Sequence, residues 1–162
     1  MKKFFIPVVL LLLCVVSVSA QKQVEASTLN LIGKPFELTP NPYHRVDTLV
    51  YKGFNRTENR QVRCPAGMAV LFKTNTRNIH ITTKWGYVYS SNSTMPISYK
   101  GYDLYIKNAD GQWQYAASGS SKAYKSERIE TFALIENMDG TMHECMMYMP
   151  MYSEVISCKI GI

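Results

Sequence analysis

The segment MPISYKGYDLYIKNADGQWQYAASG, residues 95–119, gives the clearest indication of the fold. Two aromatic-rich runs, Tyr102–Lys107 and Gln112–Ser118, flank the turn sequence NADG at 108–111. Asp-Gly between two such runs predicts a β-hairpin, because glycine adopts positive φ without a steric penalty. Asp103 fits the pattern poorly, because aspartate is disfavoured inside strands. The hairpin pattern leaves open whether Asp103 is a catalytic carboxylate, a sugar ligand or a structural anchor.

Short runs with strand character recur along the rest of the chain, separated by turn-forming residues. In Ile79–Trp85, for example, Ile79, Ile81 and Thr83 share one face. No segment has a long apolar stripe of helical period, and Lys122–Arg128 is expected to form a turn or two of helix at most. The sequence therefore predicts an all-β, two-sheet β-sandwich, similar to a jelly roll. The predicted strands are Thr48–Phe54, Met68–Lys73, Ile79–Trp85, Tyr102–Lys107, Gln112–Ser118, Thr131–Glu136, Cys145–Met149 and Val155–Ile160.

The N-terminal residues have the pattern of a secretory signal peptide. Lys2 and Lys3 precede an apolar run from Phe4 to Val16, and Val18-Ser19-Ala20 provides a cleavage site. The apolar run is shorter than the roughly 20 residues that a membrane span needs. We therefore expect an exported protein, secreted or periplasmic, with no membrane association after cleavage.

Cleavage after Ala20 would divide the chain into three parts. These are a signal peptide (1–20), a short flexible segment (21–30) and one β-sandwich domain (31–162), which is long enough for a hydrophobic core. The formal net charge of +6 is modest and no dense Lys/Arg cluster is present. The sequence therefore gives no reason to expect a nucleic-acid partner.

Three cysteines remain after cleavage, an odd number that leaves at least one free thiol. A hairpin centred on Pro150–Glu154 would place Cys145 and Cys158 opposite each other, so a disulfide between them is possible. Alternatively, both are small buried apolar residues. Cys64 beside Pro65 is expected in a turn with a free thiol. The histidines are far apart in sequence and the spacings typical of zinc ligands are absent, so we expect no metal and no cofactor.

The sequence does not indicate a reaction. There is no Gly-x-Ser-x-Gly motif, no serine with an evident activating base, and no spacing that pairs two carboxylates. Most of the tyrosines are explained as strand and core residues. Aromatic residues in loops are better candidates for stacking on a ligand, because loops carry many binding residues. Tyr87 and Tyr89 are the best of these, followed by Tyr43.

Gly101-Tyr102-Asp103-Leu104-Tyr105 resembles the signature of the GxDLY family, whose members lie immediately upstream of SGNH-type (GDSL-like) serine esterases in secreted bacterial proteins. The segments NPYHRVD (41–47), PAGMAVLFKTNTRNIHITTKW (65–85) and MYMPMYSEVISCKIGI (147–162) resemble the same family in the same order. The resemblance extends over residues 31–162. It implies a β-sandwich whose motif residues are Gly101, Asp103, Leu104 and Tyr105.

The resemblance implies an accessory role. The catalytic blocks of the hydrolase half are absent from this sequence, so no catalytic residue is assigned. The implied function is a non-catalytic domain that packs on an SGNH esterase domain, in the same or a separate chain, and helps to present an acylated glycan. The alternative is a free-standing secreted protein that binds carbohydrate or a partner. Candidates for ligand binding or the domain seam are Tyr43, Arg45, Asp47, Tyr87 and Tyr89.

The resemblance narrows the interpretation of Asp103, because the signature lies outside the hydrolase half. A catalytic role is therefore disfavoured. Three interpretations remain. The carboxylate could anchor the fold through hydrogen bonds with loop amides. It could lie at the seam with the esterase domain, or it could bind a sugar hydroxyl.

Overall fold

A computed structural model describes residues 21–89, 91–121 and 128–162. The predicted signal peptide and most of the predicted helical turn at 122–128 lie outside the described residues. None of the helices in the described ranges is long and apolar enough to cross a membrane.

The described residues form two antiparallel sheets that face each other, which confirms the predicted all-β sandwich. The four-stranded sheet has the order β1-β9-β4-β7, and the five-stranded sheet has the order β2-β3-β8-β5-β6. The helical elements are a 3-10 turn at Ala26–Thr28, α1 at Arg56–Gln61 and α2 at Pro96–Lys100. The strands are β1 Gln23–Glu25, β2 Asn30–Ile32, β3 Ala69–Thr74, β4 Ile79–Val88, β5 Tyr102–Lys107, β6 Trp113–Gly119, β7 Ile129–Ile135, β8 His143–Tyr148 and β9 Ser153–Gly161.

The core lies between the inner faces of the two sheets, as alternation of side chains along a strand requires. In β4 the predicted inward residues Ile79, Ile81 and Thr83 are all buried. The five-stranded sheet contributes Tyr102 and Leu104, both buried, from β5. Inward apolar residues on every long strand therefore form one continuous hydrophobic cluster.

The predicted hairpin forms between β5 and β6. The Asn108 amide donates to the Gln112 carbonyl over 2.9 Å, and the Gly111 amide donates to the Asn108 carbonyl over 3.0 Å. Gly111 has φ of 78°, the left-handed conformation for which glycine was expected at this position. The turn chemistry therefore sets the register of the strand that contains Asp103.

The predicted strand Thr48–Phe54 is wrong, because this segment forms an exposed turn before α1. The Asp47 carboxylate accepts a hydrogen bond from the Leu49 amide over 2.8 Å, and the Asp47 carbonyl accepts one from the Tyr51 amide over 2.9 Å. Aspartate side chains commonly cap turns in this way, which gives the backbone an alternative to a sheet ladder.

The expected flexible segment at 21–30 is instead ordered in the sandwich. β1 pairs with β9 of one sheet and β2 pairs with β3 of the other, so this segment joins the two sheets. The Glu25 carboxylate accepts hydrogen bonds from the Tyr43 hydroxyl, the Ser157 hydroxyl and the Cys158 amide. Short strands with few apolar residues are hard to recognise from sequence, because their stability comes from such tertiary contacts.

The disulfide between Cys145 and Cys158 is also wrong, because the hairpin that would form it does not exist. Cys145 lies on β8 of the five-stranded sheet and Cys158 on β9 of the four-stranded sheet. Residues 149–152 cross from one sheet to the other instead of turning back. Cys64, Cys145 and Cys158, the cysteines among the described residues, are all free and buried. Cys64 lies in a bend after α1, as expected.

Candidate binding cleft and the buried charges that support it

A cleft of about 530 Å³ opens at one end of the sandwich. Its walls come from α1 and the bend that follows it, the end of β4 with the next residue, and the crossing between β8 and β9, with one residue each from the loops before α1 and before α2. Most of the lining residues have aromatic or hydrogen-bonding side chains, and none is acidic. They are Arg45, Thr57, Arg60, Gln61, Cys64, Ala66, Tyr87, Tyr89, Thr94, Met151 and Tyr152.

Two aromatic groupings give the cleft its chemistry. The Arg60 guanidinium lies 4.6 Å from the centre of the Tyr87 ring, within the range of a cation–π interaction. The rings of Tyr89 and Tyr152 pack at 5.8 Å with an interplanar angle of 48°. The cleft therefore combines apolar ring surfaces with a guanidinium donor, which suits a ligand that has both apolar faces and hydroxyl or carbonyl acceptors.

The Glu154 carboxylate holds the part of the backbone that carries Tyr87, a residue of the cleft wall. Its carboxylate lies 2.8 Å from His44 Nε2 and 3.2 Å from an Arg63 nitrogen. It also accepts a hydrogen bond from the Tyr87 amide over 3.0 Å. Gly86 permits this arrangement, since a Cβ at that position would overlap the Glu154 carboxylate. The backbone that carries Tyr87 is therefore held by a buried carboxylate.

The pKa of Glu154 reflects two opposing effects. Burial alone would raise this pKa, but the hydrogen bonds from His44 and the Tyr87 amide, with the positive charge of Arg63, lower it overall. Glu154 is consequently an anion in the folded protein near neutral pH. Its negative charge is satisfied by the fold and is not directed into the cleft.

The structure brings together three of the five predicted site residues. Tyr87, Tyr89 and Arg45 all line the cleft. Tyr87 lies in β4 rather than in the predicted loop. The Arg45 guanidinium donates to the carbonyls of Cys64 and Gln61 over 2.8 and 2.7 Å, so it mainly positions the bend after α1.

The other two predicted site residues serve the fold. Tyr43 is fully buried and its hydroxyl bonds to Glu25, so it cannot stack on a ligand. Asp47 caps the turn described above and does not line the cleft. The motif residue Asp103 is exposed on β5, and its carboxylate makes no hydrogen bond or ion pair with any described residue. Among the described residues, no loop amide donates to this carboxylate as the anchoring interpretation expects.

Two cleft residues that the sequence analysis missed had recognisable signals. Arg60 lies on α1, whose N-terminus has a capping box: Asn55 accepts from the Glu58 amide and Glu58 accepts from the Asn55 amide. The pattern Asn-x-x-Glu is a sequence signature of a helix start. Tyr152 is an aromatic residue between two strands, so the reasoning that selected Tyr89 applies to it as well.

The cleft offers one cysteine thiol and no carboxylate. Cys64 is its one cysteine, and burial raises the pKa of this thiol to about 11, which disfavours the nucleophilic thiolate. No carboxylate lies among the residues that line it. Within the described ranges, no cluster of three or more His, Cys, Asp or Glu side chains could hold a metal ion.

A second buried charge cluster supports the start of the motif. Lys100 Nζ lies 2.7 and 3.0 Å from the two carboxylate oxygens of Glu130, and both side chains are only 3% exposed. The Trp85 indole N–H donates to the same carboxylate over 2.7 Å. This cluster joins the end of α2 to β7 and β4, directly before Gly101.

Fold and site together define an all-β domain with a polar-aromatic cleft that resembles a binding site. Residues 21–162 match the GxDLY family, which is described as the N-terminus of SGNH-hydrolase-type esterases. The chain belongs to this family. The predicted resemblance is confirmed.

A solved structure supports the assignment. The chain is 33% identical to a protein from Bacteroides ovatus ATCC 8483 that is described as a GDSL-like lipase. The TM-score of the two structures is 0.77. The match covers 87% of this chain and 40% of that protein, so this chain spans less than half the length of its relative. A search of curated proteins found no match.

Proposed function

We propose that this chain is the non-catalytic accessory domain of an exported SGNH-type esterase and that its cleft holds the carbohydrate part of an acylated substrate. Family membership supports the association with an esterase. The observation that carries the binding role is the cleft of about 530 Å³ with Arg60, Tyr87, Tyr89 and Tyr152 on its walls. This volume lies within the usual range of small-molecule sites, roughly 300–1,000 Å³.

The side chains of the cleft match the chemistry of an acylated sugar. Sugar rings have apolar C–H faces that pack against aromatic rings, and Tyr87, Tyr89 and Tyr152 offer such rings. Hydroxyl and ester carbonyl oxygens accept hydrogen bonds, and the Arg60 guanidinium has donors in a fixed geometry. Because no carboxylate lines the cleft, a neutral or anionic ligand is favoured over a cationic one.

Glycan binding tests this proposal directly. Isothermal titration calorimetry with a panel of acetylated oligosaccharides, and with the same sugars after base deacetylation, measures affinity and the contribution of the acyl group. Tyr87→Ala should weaken binding by roughly tenfold or more, which corresponds to about 1.4 kcal/mol.

Tyr115→Ala is the matched control, because Tyr115 is another strand tyrosine that solvent reaches and it lies outside the cleft. Its affinity should equal that of the wild type. Equal affinity of the wild type and Tyr87→Ala would reject the cleft as the site. Equal affinity for the acetylated and deacetylated sugars would reject recognition of the acyl group.

A further inference from the structure

The outer surface of the five-stranded sheet is unusually aromatic. Tyr105 alternates along β5 with the buried Tyr102 and Leu104, so it points away from the core. Outer faces of antiparallel sandwiches are normally polar. We call the following outward side chains the aromatic face: Asp103, Tyr105, Trp113, Tyr115 and Tyr148.

The outer surface of the four-stranded sheet carries no exposed aromatic side chain among the described residues. Thr82 and Thr131 form a cross-strand hydrogen bond of 2.9 Å on it. His80, Lys84 and Lys159 add polar or charged side chains, and its exposed large apolar residues, Ile129 and Ile156, are aliphatic rather than aromatic. The contrast between the two sheets shows that the aromatic face is not required by a sandwich fold as such. Contiguous exposed aromatic surface of this kind marks interaction sites.

The aromatic face is organised rather than random. The Tyr105 ring makes edge-to-face contacts with Tyr115 at 5.9 Å and with Tyr148 at 5.8 Å. The Tyr115 hydroxyl is hydrogen-bonded to Ser118 over 2.9 Å, although the Tyr115 side chain is 60% exposed. These contacts hold large side chains in place while leaving them open to solvent, which lowers the entropic cost of binding.

Two of the four signature residues have a role in the fold, and the other two lie on the aromatic face. Gly101 serves the fold, because a Cβ there would overlap the Ile97 carbonyl. Leu104 also serves the fold, because it is fully buried in the core. Asp103 and Tyr105 have no such role in the core, because both side chains lie on the outer face of the sheet. In the strand register Asp103 lies between Tyr148 on β8 and Ser118 on β6. Its side chain is exposed, and its carboxylate has no hydrogen-bond or ion-pair partner among the described residues.

We propose that the aromatic face is the surface on which the SGNH esterase domain docks, and that a cation or N–H donor of that domain pairs with Asp103. This inference rests on the proposed association with an esterase. The signature names the family, so the two signature residues that the fold does not explain should contact something that members have in common. The esterase is the partner that the family description specifies.

The composition of the face agrees with a protein partner. Tyrosine, tryptophan and methionine are enriched in the centres of protein interfaces, and charged side chains are found at their rims. Lys73, Lys107 and Glu144 form an ion-pair cluster beside the aromatic residues. In the relative from Bacteroides ovatus the matched region is 40% of the chain, so a larger part of that protein is available to cover this face.

The ring geometry favours a protein over a glycan on this face. Tyr105 stands at 79° to Tyr115 and at 75° to Tyr148. Rings at such angles do not form the coplanar platform on which a flat sugar chain would stack. They offer edges and pockets between rings, into which side chains of a folded partner fit.

Hydroxyl-radical footprinting read by mass spectrometry tests the proposal, since tyrosine side chains are labelled efficiently when exposed. Residues 21–162 are compared alone and joined to the esterase region of the Bacteroides ovatus relative, in place of its matched domain. Labelling of Tyr105, Tyr115 and Tyr148 should fall at least fivefold in the fusion. Labelling of Tyr51, an exposed tyrosine outside the face, should not change. Unchanged labelling of all three face tyrosines in a fusion that hydrolyses p-nitrophenyl acetate would overturn the proposal.

Charge reversal makes the test specific for Asp103. Asp103→Lys should restore labelling of the face in the fusion, whereas Asp110→Lys in the exposed turn should not. Protection of the face in the isolated domain by acetylated oligosaccharides would identify a glycan surface and overturn the proposal. If the fusion does not fold, footprinting of the Bacteroides ovatus protein itself decides: protected side chains at the superposed positions support docking, and labelled ones reject it. The calorimetry of Tyr87→Ala is independent of these results. The proposal that the cleft binds a glycan and the proposal that the aromatic face docks the esterase can therefore be rejected separately.

Discussion

The buried ion pair between Lys100 and Glu130 provides the sharpest prediction about stability. The two side chains are each 3% exposed and make contacts of 2.7 and 3.0 Å, and Trp85 donates a further hydrogen bond of 2.7 Å to the carboxylate. Glu130→Gln keeps an acceptor for Trp85 but removes the charge that neutralises Lys100. Removing one partner of a buried pair costs about 3–5 kcal/mol, because it leaves an uncompensated charge in a poorly solvated site.

We expect Glu130→Gln to lie at the lower end of this range, at about 3 kcal/mol, because the Trp85 hydrogen bond survives. For a domain of this size that corresponds to a decrease in melting temperature of roughly 10 °C. Lys100→Met should cost a similar amount. The double variant Lys100→Met/Glu130→Gln buries no charge, so its cost should be clearly smaller than the sum of the two single costs.

Urea unfolding followed by tryptophan fluorescence measures these free energies, with unchanged m-values as the check on two-state behaviour. Glu144→Gln is the matched control, because Glu144 pairs with Lys73 and Lys107 on the exposed sheet surface. Exposed pairs contribute little, so this variant should stay close to the wild type. Additive costs for Lys100→Met and Glu130→Gln, or a cost for Glu130→Gln no larger than that of Glu144→Gln, would refute the reasoning.

Two further predictions concern titratable groups. Folding lowers the pKa of Glu154, so its contribution to stability is present above the unfolded value of about 4.5 and is lost as the pH falls through the folded value. In thermal melts from pH 7 to pH 3, the melting temperature of Glu154→Gln should therefore fall less with decreasing pH than that of the wild type. Parallel curves of melting temperature against pH would contradict this. Burial raises the pKa of Cys64 to about 11 and those of Cys145 and Cys158 to about 12. Residues 21–162 should thus react slowly with a thiol reagent at pH 8 when folded and show three thiols when unfolded, whereas one thiol would indicate a disulfide.

Local chemistry explains which parts of the fold were predictable. The β5–β6 hairpin depends on Asp110-Gly111 and on neighbouring strands, so the turn sequence is sufficient to place it. The alternating positions of Ile79, Ile81 and Thr83 likewise predicted which face of β4 is buried. The strand predicted at Thr48–Phe54 failed because its apolar residues satisfy a strand pattern, while the side chain of Asp47 caps a turn instead.

Long-range pairing explains which parts were not predictable. Whether β8 and β9 share a sheet depends on partners far away in sequence, and the segment between them reads equally well as a hairpin and as a crossing. The proposed disulfide depended on that choice. The cleft was unpredictable for the same reason. Glu154 contacts His44, which is 110 positions away in sequence, and no local pattern predicts that contact. Aromatic character alone did not separate Tyr89, which lines the cleft, from Tyr43, which is buried.

Neither local sequence preference nor the contacts within the described domain explain why an aspartate stands at position 103. Its position in a strand is unfavourable by propensity, and such violations are usually compensated by an interaction or kept for function. Burial of the side chain, or a hydrogen bond or ion pair of the carboxylate within the described domain, would have been sufficient compensation, and the described residues provide none of these. Tyr105, two positions further on, points to the same side of the sheet and is held by two neighbouring rings that are themselves open to solvent. The compensation for Asp103 should therefore come from a molecule that covers this side of the sheet, which is the physical reason for placing the esterase there rather than at the cleft.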